Sequence, residues 1–394
     1  MKKELVKQVK ECFKEQFATT PNYIFLSPGR INIIGEHVDY NDGFVLPAAI
    51  NKYVCFAIAE NGTDIINLYA KDLGESYSFN LNTALQPVGA MWVNFFLGVV
   101  QQLKNRGFVF KGLDVAFSST VPMGAGLSSS AAIECGFCFA IDTIFNLGLS
   151  KKDIALIGQK AEHTFAGVNC GIMDQFASVF GKKNSVIKLD CNTLEYEYHS
   201  ADFNNYTLVL LDSKVKHTHL TSGYNDRRNE VEKGLDIIKR EYPGVQTFRD
   251  LNEEQVHAVK DKLGNIIYKR CLFVVREIQR VRDAVKAIEA NDFEKLGQLM
   301  YETHQGLSKN YEVSCEEIDF LVDAVHTDTN VLGARMMGGG FGGCSVNLVK
   351  KDAVKALVER VSREYKEKFA IELEVYKVKI SEGTSLYTEE HAGI

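Results

Sequence analysis

The spacing of hydrophobic positions changes repeatedly along the first 200 residues, and each change predicts a new element. Short apolar runs predict strands, whereas apolar positions three and four residues apart predict helices. The predicted strands are Tyr23–Leu26, Tyr53–Ala59, Asp64–Ala70, Ser76–Asn80, Leu113–Ser118, Ser185–Asp190 and Glu195–His199. The predicted helices are Met1–Phe17, Trp92–Asn105, Ser129–Phe145, Lys151–Phe165 and Met173–Phe180.

Beyond residue 200 the helical spacing dominates. A strand is predicted at Tyr206–Asp212, and Tyr224–Thr327 is almost entirely helical in pattern. Within that stretch, Ser314 and Glu317 have the spacing of a capping box at a helix start. The last predicted elements are the strands Ala334–Met337, Ser345–Val349 and Glu372–Lys379 and the helix Asp352–Phe369. We therefore predict an α+β chain with domains at 1–200 and 201–394.

Composition supports a globular chain and argues against two classes of partner. The 394 residues are 45% hydrophobic and 24% charged, which is ordinary for a chain that buries real cores. The net charge is −6, and no block of like charge is long enough to bind nucleic acid or a membrane surface. The most apolar stretch, Ile133–Leu149, is interrupted by Glu134 and Asp142, so no transmembrane helix is expected. The charged N-terminal helix does not resemble a signal peptide.

Cysteine usage indicates a reducing compartment. The nine cysteines are odd in number and scattered, and most lie in apolar runs, which is typical of cytoplasmic proteins. Cys135 and Cys138 have the spacing of a redox or zinc motif but lie in the middle of a predicted helix with no second pair nearby. We expect both to be packing residues.

The first segment with chemistry is Ser27–Gly43, which carries an arginine, three carboxylates, a histidine and a tyrosine among few apolar residues. A segment that only packed would repeat or alternate its apolar positions. A dense set of donors and acceptors is instead what a polyol ligand needs. The segment predicts a sugar site.

The second segment, Val121–Ala132, places small residues between a predicted strand and a predicted helix. Small residues let backbone N–H groups converge on an anion, and the helix start adds the positive end of its dipole. The segment predicts a phosphate site, although a serine-capped helix after a glycine turn is equally compatible with it. No Gly-Lys-Ser/Thr follows the glycines, so it is not a Walker A loop.

The third segment, Met337–Ser345, contains five glycines around Phe341, and three of them match the dinucleotide pattern G-x-G-x-x-G. That pattern must open a helix, but the residues that follow predict a strand. The glycines more plausibly allow two strands to approach a ligand or the other domain, and a plain glycine hairpin is the alternative.

Together the three segments, Gly29–Asn41, Gly124–Ala132 and Gly338–Gly343, resemble the motifs of the galactokinase branch of the small-molecule kinases that include homoserine, mevalonate and phosphomevalonate kinases, the GHMP kinases. The Glu-His-x-Asp-Tyr-Asn core of the first is close to diagnostic for galactokinases. Departures are few: Val38 stands where Thr is usual, Asp42 where Gly is usual, and Ala70 where many members have Ser. The resemblance implies a ribosomal S5 domain 2-like N-terminal domain and a ferredoxin-like C-terminal domain.

The resemblance also implies a role for individual residues. Asp174 would be the general base, with Arg30 beside it, and Ser130 and Glu162 would bind Mg²⁺. The implied sugar-binding residues are Glu36, His37, Val38, Asp39, Gly171 and Tyr224. The implied ATP-binding residues are Gly124, Ala125, Gly126, Leu127, Ser128, Ser129 and Ser130.

Four of these residues have simpler interpretations that the sequence leaves open. Glu162 fits a solvated helix face, and Asp174 fits a charge in the first turn of a short helix. His37 fits a side chain that only braces its neighbours. Tyr224 fits the start of a long helix.

The implied activity is ATP-dependent phosphorylation of D-galactose at the anomeric hydroxyl, giving α-D-galactose 1-phosphate, the first committed step of the Leloir route. Two alternatives stay open: a kinase for N-acetylgalactosamine or another hexose, and a sensor that binds galactose and ATP without turnover. The intact Ser130-Ala131 favours the enzyme over the sensor. We expect a cytoplasmic monomer or weak dimer whose partners are galactose and ATP, without nucleic acid or membrane.

Overall fold

The computed structural model describes residues 2–122, 124–216 and 220–388. Met1, at the start of the predicted first helix, and Met123, in the second motif, lie outside the described residues. The elements of the N-terminal half are α1 (Lys2–Phe17), β1 (Tyr23–Asn32), β2 (Phe44–Val45), β3 (Pro47–Glu60), β4 (Ile65–Ala70), β5 (Glu75–Asn80), α2 (Met91–Asn105), β6 (Leu113–Ser119), α3 (Ser129–Phe145), α4 (Lys151–Ala161), α5 (Met173–Phe180), β7 (Ser185–Asp190) and β8 (Tyr196–Ser200).

The C-terminal half begins with the long strand β9. Its elements are β9 (Tyr206–Lys216), α6 (Leu220–Glu241), α7 (Glu253–Ala258), α8 (Lys260–Glu289), α9 (Phe293–Gly306), α10 (Glu316–His326), β10 (Val331–Met336), β11 (Gly342–Lys350), α11 (Val354–Phe369), β12 (Glu374–Lys377) and β13 (Ser385–Leu386). Short 3₁₀ and π turns occupy Asp39–Asn41, Glu162–Ala166, Phe248–Asp250 and Leu307–Tyr311.

The first sheet has six strands in the order β13-β1-β3-β6-β4-β5 and is covered on both faces. Successive residues of a strand point to opposite faces. On β1, Phe25 enters the main core, while Ile24 and Leu26 pack in a second cluster with Val9 and Phe13 of α1. Burial of both faces explains the nearly continuous apolar runs of β1 and β3, and the first motif begins within the last residues of β1.

The second sheet has the order β10-β11-β9-β12, with all neighbouring strands antiparallel. Helices separate β9 from β10 and β11 from β12, so the chain runs β-α-β-β-α-β, as in ferredoxin-like folds. The predicted α+β class is confirmed, and this second sheet has the element order expected for the ferredoxin-like C-terminal domain. After β12 the chain returns to the first sheet, where β13 pairs with β1.

Two local predictions need correction. Helix α10 begins at Glu316 without a side-chain cap, so the capping box at Ser314 is wrong. Cys315 occupies the N-cap position, and the Ser314 hydroxyl donates to the carboxylate of Asp319. The helix predicted to reach Phe165 ends as α4 at Ala161 and continues as a π turn, Glu162–Ala166.

The cysteines follow the packing prediction. All nine are free, and Cys135 and Cys138 are fully buried on α3, where burial raises the pKa of both thiols. Among the described residues, no helix combines the length and the apolar character that a membrane span requires.

Candidate active site

Two adjoining cavities lie where the three motifs meet. One is a cleft of about 290 Å³ between the second and third motifs, and the other is a pocket of about 180 Å³ beside the first motif. The residues that line both are Arg30, Glu162, Val168, Asp174, Tyr224 and Gly339. These shared residues mark the boundary at which a group held in the cleft would meet a ligand held in the pocket.

The boundary is dominated by a buried ion pair between Arg30 and Asp174. Arg30 lies near the end of β1, and Asp174 is in the first turn of α5. The guanidinium donates from Nε to Oδ1 at 2.7 Å and from Nη2 to Oδ2 at 2.8 Å. Burial alone would lower the pKa of Arg30, but the charges of Asp174 and Glu36 raise it, so the arginine stays charged.

Asp174 has a third partner in the second motif. The Ser128 hydroxyl donates to Oδ2 at 2.6 Å. Ser128 has a left-handed backbone (φ 59°) and precedes α3, but its side chain makes no cap. The serine-cap interpretation of this segment is therefore wrong at Ser128, because a capping serine has an extended backbone and Ser128 does not. The first N–H groups of α3 lack intrahelical partners, as at every helix start.

The third motif supports the second through backbone contact. A Cβ atom at Gly338 would lie 3.2 Å from the Gly126 carbonyl oxygen, and one at Gly343 would lie 3.2 Å from the Ala125 carbonyl carbon. Both glycines have positive φ. The glycines thus let the β10–β11 hairpin reach the phosphate-site candidate. No helix follows them, so the dinucleotide interpretation is excluded and the close-approach interpretation is confirmed.

Glu36 is held by the third motif as well. Its Oε1 accepts hydrogen bonds from Arg335 Nη2 and from the backbone N–H of Gly338, both at 3.0 Å. Arg335 is 0% exposed and also donates to the backbone carbonyls of Asn32 and Ile33. Among the described residues these bonds use Oε1 only, which leaves Oε2 for a ligand in the pocket.

His37 combines a pocket-lining position with a bracing role. Its φ is 60°, and its Nδ1 lies 2.7 Å from the Tyr40 hydroxyl. The ring also packs 5.4 Å from the Tyr224 ring and 4.9 Å from the Tyr311 ring, measured between centroids. Burial lowers the pKa of His37 to about 3, so the ring is neutral at physiological pH. A neutral ring can hydrogen-bond a sugar but cannot supply a charge.

Asp39 depends on a glycine for its place in the pocket. A Cβ atom at Gly171 would lie 2.1 Å from Asp39 Oδ2, so no side chain fits there. The Tyr224 hydroxyl is hydrogen-bonded to the backbone of Gly171. Burial, together with the charges of Asp174 and Glu36, raises the pKa of Asp39 to about 7. Val38, in contrast, is fully buried in the core and lines neither cavity.

Glu162 is a buried carboxylate and not part of a solvated face. It is 9% exposed, and burial and the charge of Asp174 raise its pKa to about 7. The Ser130 hydroxyl donates to it, as does Gln175 Nε2, which lies 2.9 Å from Oε2. This hydroxyl and carboxylate both line the cleft. They are hard oxygen donors of the kind that Mg²⁺ prefers, and the open cleft leaves room for water and phosphate ligands.

Sequence reasoning missed several residues that complete the site. Glu134, noted only as a charge in an apolar run, is fully buried beside Glu162, and burial raises its pKa well above the usual range. The charge of Glu162 raises this pKa further, and Gln175 Nε2 lies 3.4 Å from Glu134 Oε2. Arg335 stands between apolar residues of β10. A charge inside a continuous apolar run was the available signal in both cases.

The motif positions divide between the two cavities. All of the predicted phosphate-site residues except Ala125, which is buried, line the cleft: Gly124, Gly126, Leu127, Ser128, Ser129 and Ser130. Glu36, His37 and Asp39 line the pocket. Within the part of the chain that is described, no cluster of three or more His, Cys, Asp or Glu side chains is arranged to hold a metal by itself.

Comparison with known protein families finds three matches along the chain. Residues 11–60 match the galactokinase galactose-binding signature, residues 94–182 match the GHMP kinases N terminal domain, and residues 284–367 match the GHMP kinases C terminal domain. The galactose-binding signature contains the first motif. The match to the N-terminal domain contains the second motif together with Glu162 and Asp174.

Curated relatives match over nearly the full chain. The galactokinase of Thermotoga neapolitana is 41% identical over 357 residues, covering 91% of this chain and 98% of the relative. That of Clostridium perfringens is 38% identical over 380 residues, covering 95% and 98%.

Solved structures of related proteins also match this chain. Lactococcus lactis galactokinase complexed with galactose superimposes with a TM-score of 0.93 at 34% identity, covering 96% of this chain and 99% of that one. Methanococcus jannaschii mevalonate kinase, at 22% identity and a TM-score of 0.65, shares the fold.

Proposed function

The chain belongs to the galactokinase family of the GHMP kinases, and from that premise we propose that it transfers the γ-phosphoryl group of ATP to the anomeric hydroxyl of D-galactose, giving α-D-galactose 1-phosphate. The observation that carries the proposal is the Arg30–Asp174 pair at the boundary of the two cavities. A phosphoryl transfer needs donor and acceptor in line, with a cation and a proton acceptor between them.

The pocket beside the first motif is the proposed sugar site. Glu36 and Asp39 accept hydrogen bonds from sugar hydroxyls, and charge-assisted bonds of this kind are short and directional. Arg335 fixes Glu36, and the absence of a side chain at Gly171 makes room for Asp39. His37 and Tyr224 form an aromatic wall. Carboxylates held in this way fix which hydroxyl points toward the cleft.

The cleft is the proposed nucleotide-phosphate site. The N–H groups at the start of α3 and the small residues before it present donors to the phosphates. Ser130 and Glu162 would hold Mg²⁺, which when bound would supply positive charge to neutralise the charge that develops on the phosphates. Gln175 Nε2 donates to Glu162 Oε2 at 2.9 Å and holds the Glu162 carboxylate in place.

Asp174 is the proposed proton acceptor. A carboxylate has about four lone-pair sites. Arg30 and Ser128 occupy two on Oδ2, and Arg30 occupies one on Oδ1. The remaining lone pair on Oδ1 can accept from the anomeric hydroxyl. As the sugar oxygen forms its bond to the γ-phosphorus and the bond to the ADP oxygen breaks, that proton passes to Asp174. Arg30 stabilises the charge on the transferring group.

Further parts of the proposal rest on the same premise. The nine free cysteines support a cytoplasmic location. We also propose the division into domains at about residue 200, a monomeric or weakly dimeric state, and partners limited to galactose and ATP.

A sugar panel tests the proposal. The protein is incubated with MgATP and, in turn, galactose, glucose, N-acetylgalactosamine and no sugar, and release of ADP is followed. Galactose-dependent release with little release on glucose supports a galactokinase. Faster release on N-acetylgalactosamine shows a sister kinase. Sugar binding without ADP release shows a sensor, and either of these last two results contradicts the proposal.

A further inference from the structure

A buried carboxylate on α8 accepts a hydrogen bond from the backbone of the first motif. Glu277 is 0% exposed and lies outside both cavities. Its Oε1 accepts from the backbone N–H of Gly35 at 2.8 Å. Its Oε2 accepts from Thr303 Oγ1 at 2.8 Å and from Arg280 Nε at 2.7 Å. A buried charge is stable only when it is paired and hydrogen-bonded. Glu277 meets that condition, and one of these three hydrogen bonds is with Gly35 of the first motif.

Gly35 is a position at which the backbone has little freedom. Its φ is +100°, and a Cβ atom there would lie 2.9 Å from Val281 Cγ2 and 2.8 Å from the carbonyl oxygen of Phe44. Glu277 and Val281 are four residues apart and therefore lie on the same face of α8. The turn that precedes Glu36 is thus seated on α8 by one hydrogen bond and one close packing contact.

We propose that Glu277 is a positioning residue for the sugar site, and the proposal rests on the proposed function in that Glu36 is taken to bind galactose. Arg335 holds the Glu36 carboxylate, while Glu277 holds the backbone of the residue before it. Without Glu277 the Gly35 N–H has no partner in a buried setting, and the turn relaxes to find one. The Glu36 carboxylate then moves relative to the sugar. The hydrogen bonds of Glu277 are with Gly35, Thr303 and Arg280 and not with the phosphate-site segment, so we expect the effect to be larger on the sugar than on the nucleotide.

A matched pair of variants separates positioning from general support. Glu277→Gln keeps the size of the side chain, but its single amide oxygen cannot serve both Gly35 and the Arg280–Thr303 side. Thr303→Val removes one donor to the same carboxylate and leaves the Gly35 bond in place. Calorimetry gives the galactose and nucleotide dissociation constants of the wild type and both variants, and thermal unfolding gives their stabilities.

The proposal predicts a selective effect. Galactose should bind Glu277→Gln about tenfold more weakly, the scale of one charge-assisted hydrogen bond, while the nucleotide should bind within about twofold of the wild type. Thr303→Val should lower the melting temperature but leave both affinities within about twofold. Unchanged galactose affinity in Glu277→Gln overturns the proposal. Parallel losses of both ligands in both variants also overturn it, because they show general destabilisation.

Two controls keep the result interpretable. A wild-type protein that binds no galactose contradicts the proposed function itself, whatever the variants do. If Glu277→Gln does not fold, amide hydrogen exchange in the sugar-free wild type tests whether Glu277 holds the Gly35 N–H. The Gly35 N–H should be protected to an extent comparable with the amides of α8. Exchange at the rate of an open loop shows that Glu277 does not hold it.

Discussion

Replacing Asp174 with Asn is the most informative single change at the proposed catalytic centre. The carboxylate accepts three hydrogen bonds, two from Arg30 and one from Ser128. An amide keeps the size but turns one acceptor into a donor. The best orientation keeps oxygen at the Oδ2 position, which preserves two bonds and points the amide N–H₂ at Arg30 Nε.

The structure sets the size of two separate effects. Loss of one charge-assisted bond to the buried Arg30 should cost about 1–3 kcal/mol of folding stability. Loss of the proton acceptor should cost about 10²- to 10⁴-fold in the chemical step, or roughly 3–5 kcal/mol of barrier. Galactose affinity should change little, because the other sugar contacts lie on the first motif.

The assay pairs calorimetry for galactose with single-turnover phosphoryl transfer, measured on Asp174→Asn and on a Ser128→Ala control. The control removes one hydrogen bond to Asp174 but keeps its charge and its pairing with Arg30, so it should lose no more than about tenfold in rate. A single-turnover rate for Asp174→Asn close to that of the wild type would refute the base assignment. The acceleration of the chemical step would then have to come from Arg30 and the metal.

Three further predictions follow from the site. Glu162→Gln should raise the Mg²⁺ concentration needed for half-maximal rate and leave galactose affinity unchanged; an unaltered Mg²⁺ titration would show that Glu162 is not a ligand. Gly171→Ala would place a Cβ atom 2.1 Å from Asp39 Oδ2, and about 1–3 kcal/mol of strain should weaken galactose binding roughly 10- to 100-fold. As a control, the Gly244→Ala variant should bind galactose normally, because no atom lies within 4 Å of a Cβ at Gly244. Because the pKa of Asp39 is raised to about 7, galactose affinity measured by calorimetry should fall as the pH drops below 7, and a flat profile from pH 8 to about pH 5.5 would exclude an ionised Asp39 as the acceptor.

The first motif was predictable because its chemistry is contiguous in sequence. Its three carboxylates, Glu36, Asp39 and Asp42, lie within seven residues, so they are close together in any fold. The partners that orient them are not contiguous. Arg335 is 299 residues from Glu36, and Glu277 is 242 residues from Gly35. No local pattern indicates such a contact, because it is created by packing of the two halves of the chain.

The remaining differences between prediction and structure concern two serines and one carboxylate. Ser314 has the spacing of a capping residue, but α10 begins one residue later than that spacing implies, so Cys315 occupies the N-cap position. Ser128 occupies the N-cap position of α3, but its left-handed backbone is not the extended conformation of a capping serine. Glu162 fits a solvated face in sequence, yet α3 and α5 bring Glu134 and Gln175 against it. The difference at Ser314 is thus local, whereas the surroundings of Glu162 come from tertiary structure.

The site at which phosphate is attached to the sugar tests the central claim most directly. The protein is incubated with galactose and MgATP, and the product is identified by phosphorus and carbon NMR, with glucose in parallel. A site built to hydrogen-bond the axial fourth hydroxyl should reject glucose by about a thousandfold or more, because its polar groups would be left unpaired. We predict α-galactose 1-phosphate and almost no product from glucose. Phosphate on C6, or equal turnover of the two sugars, would contradict the account.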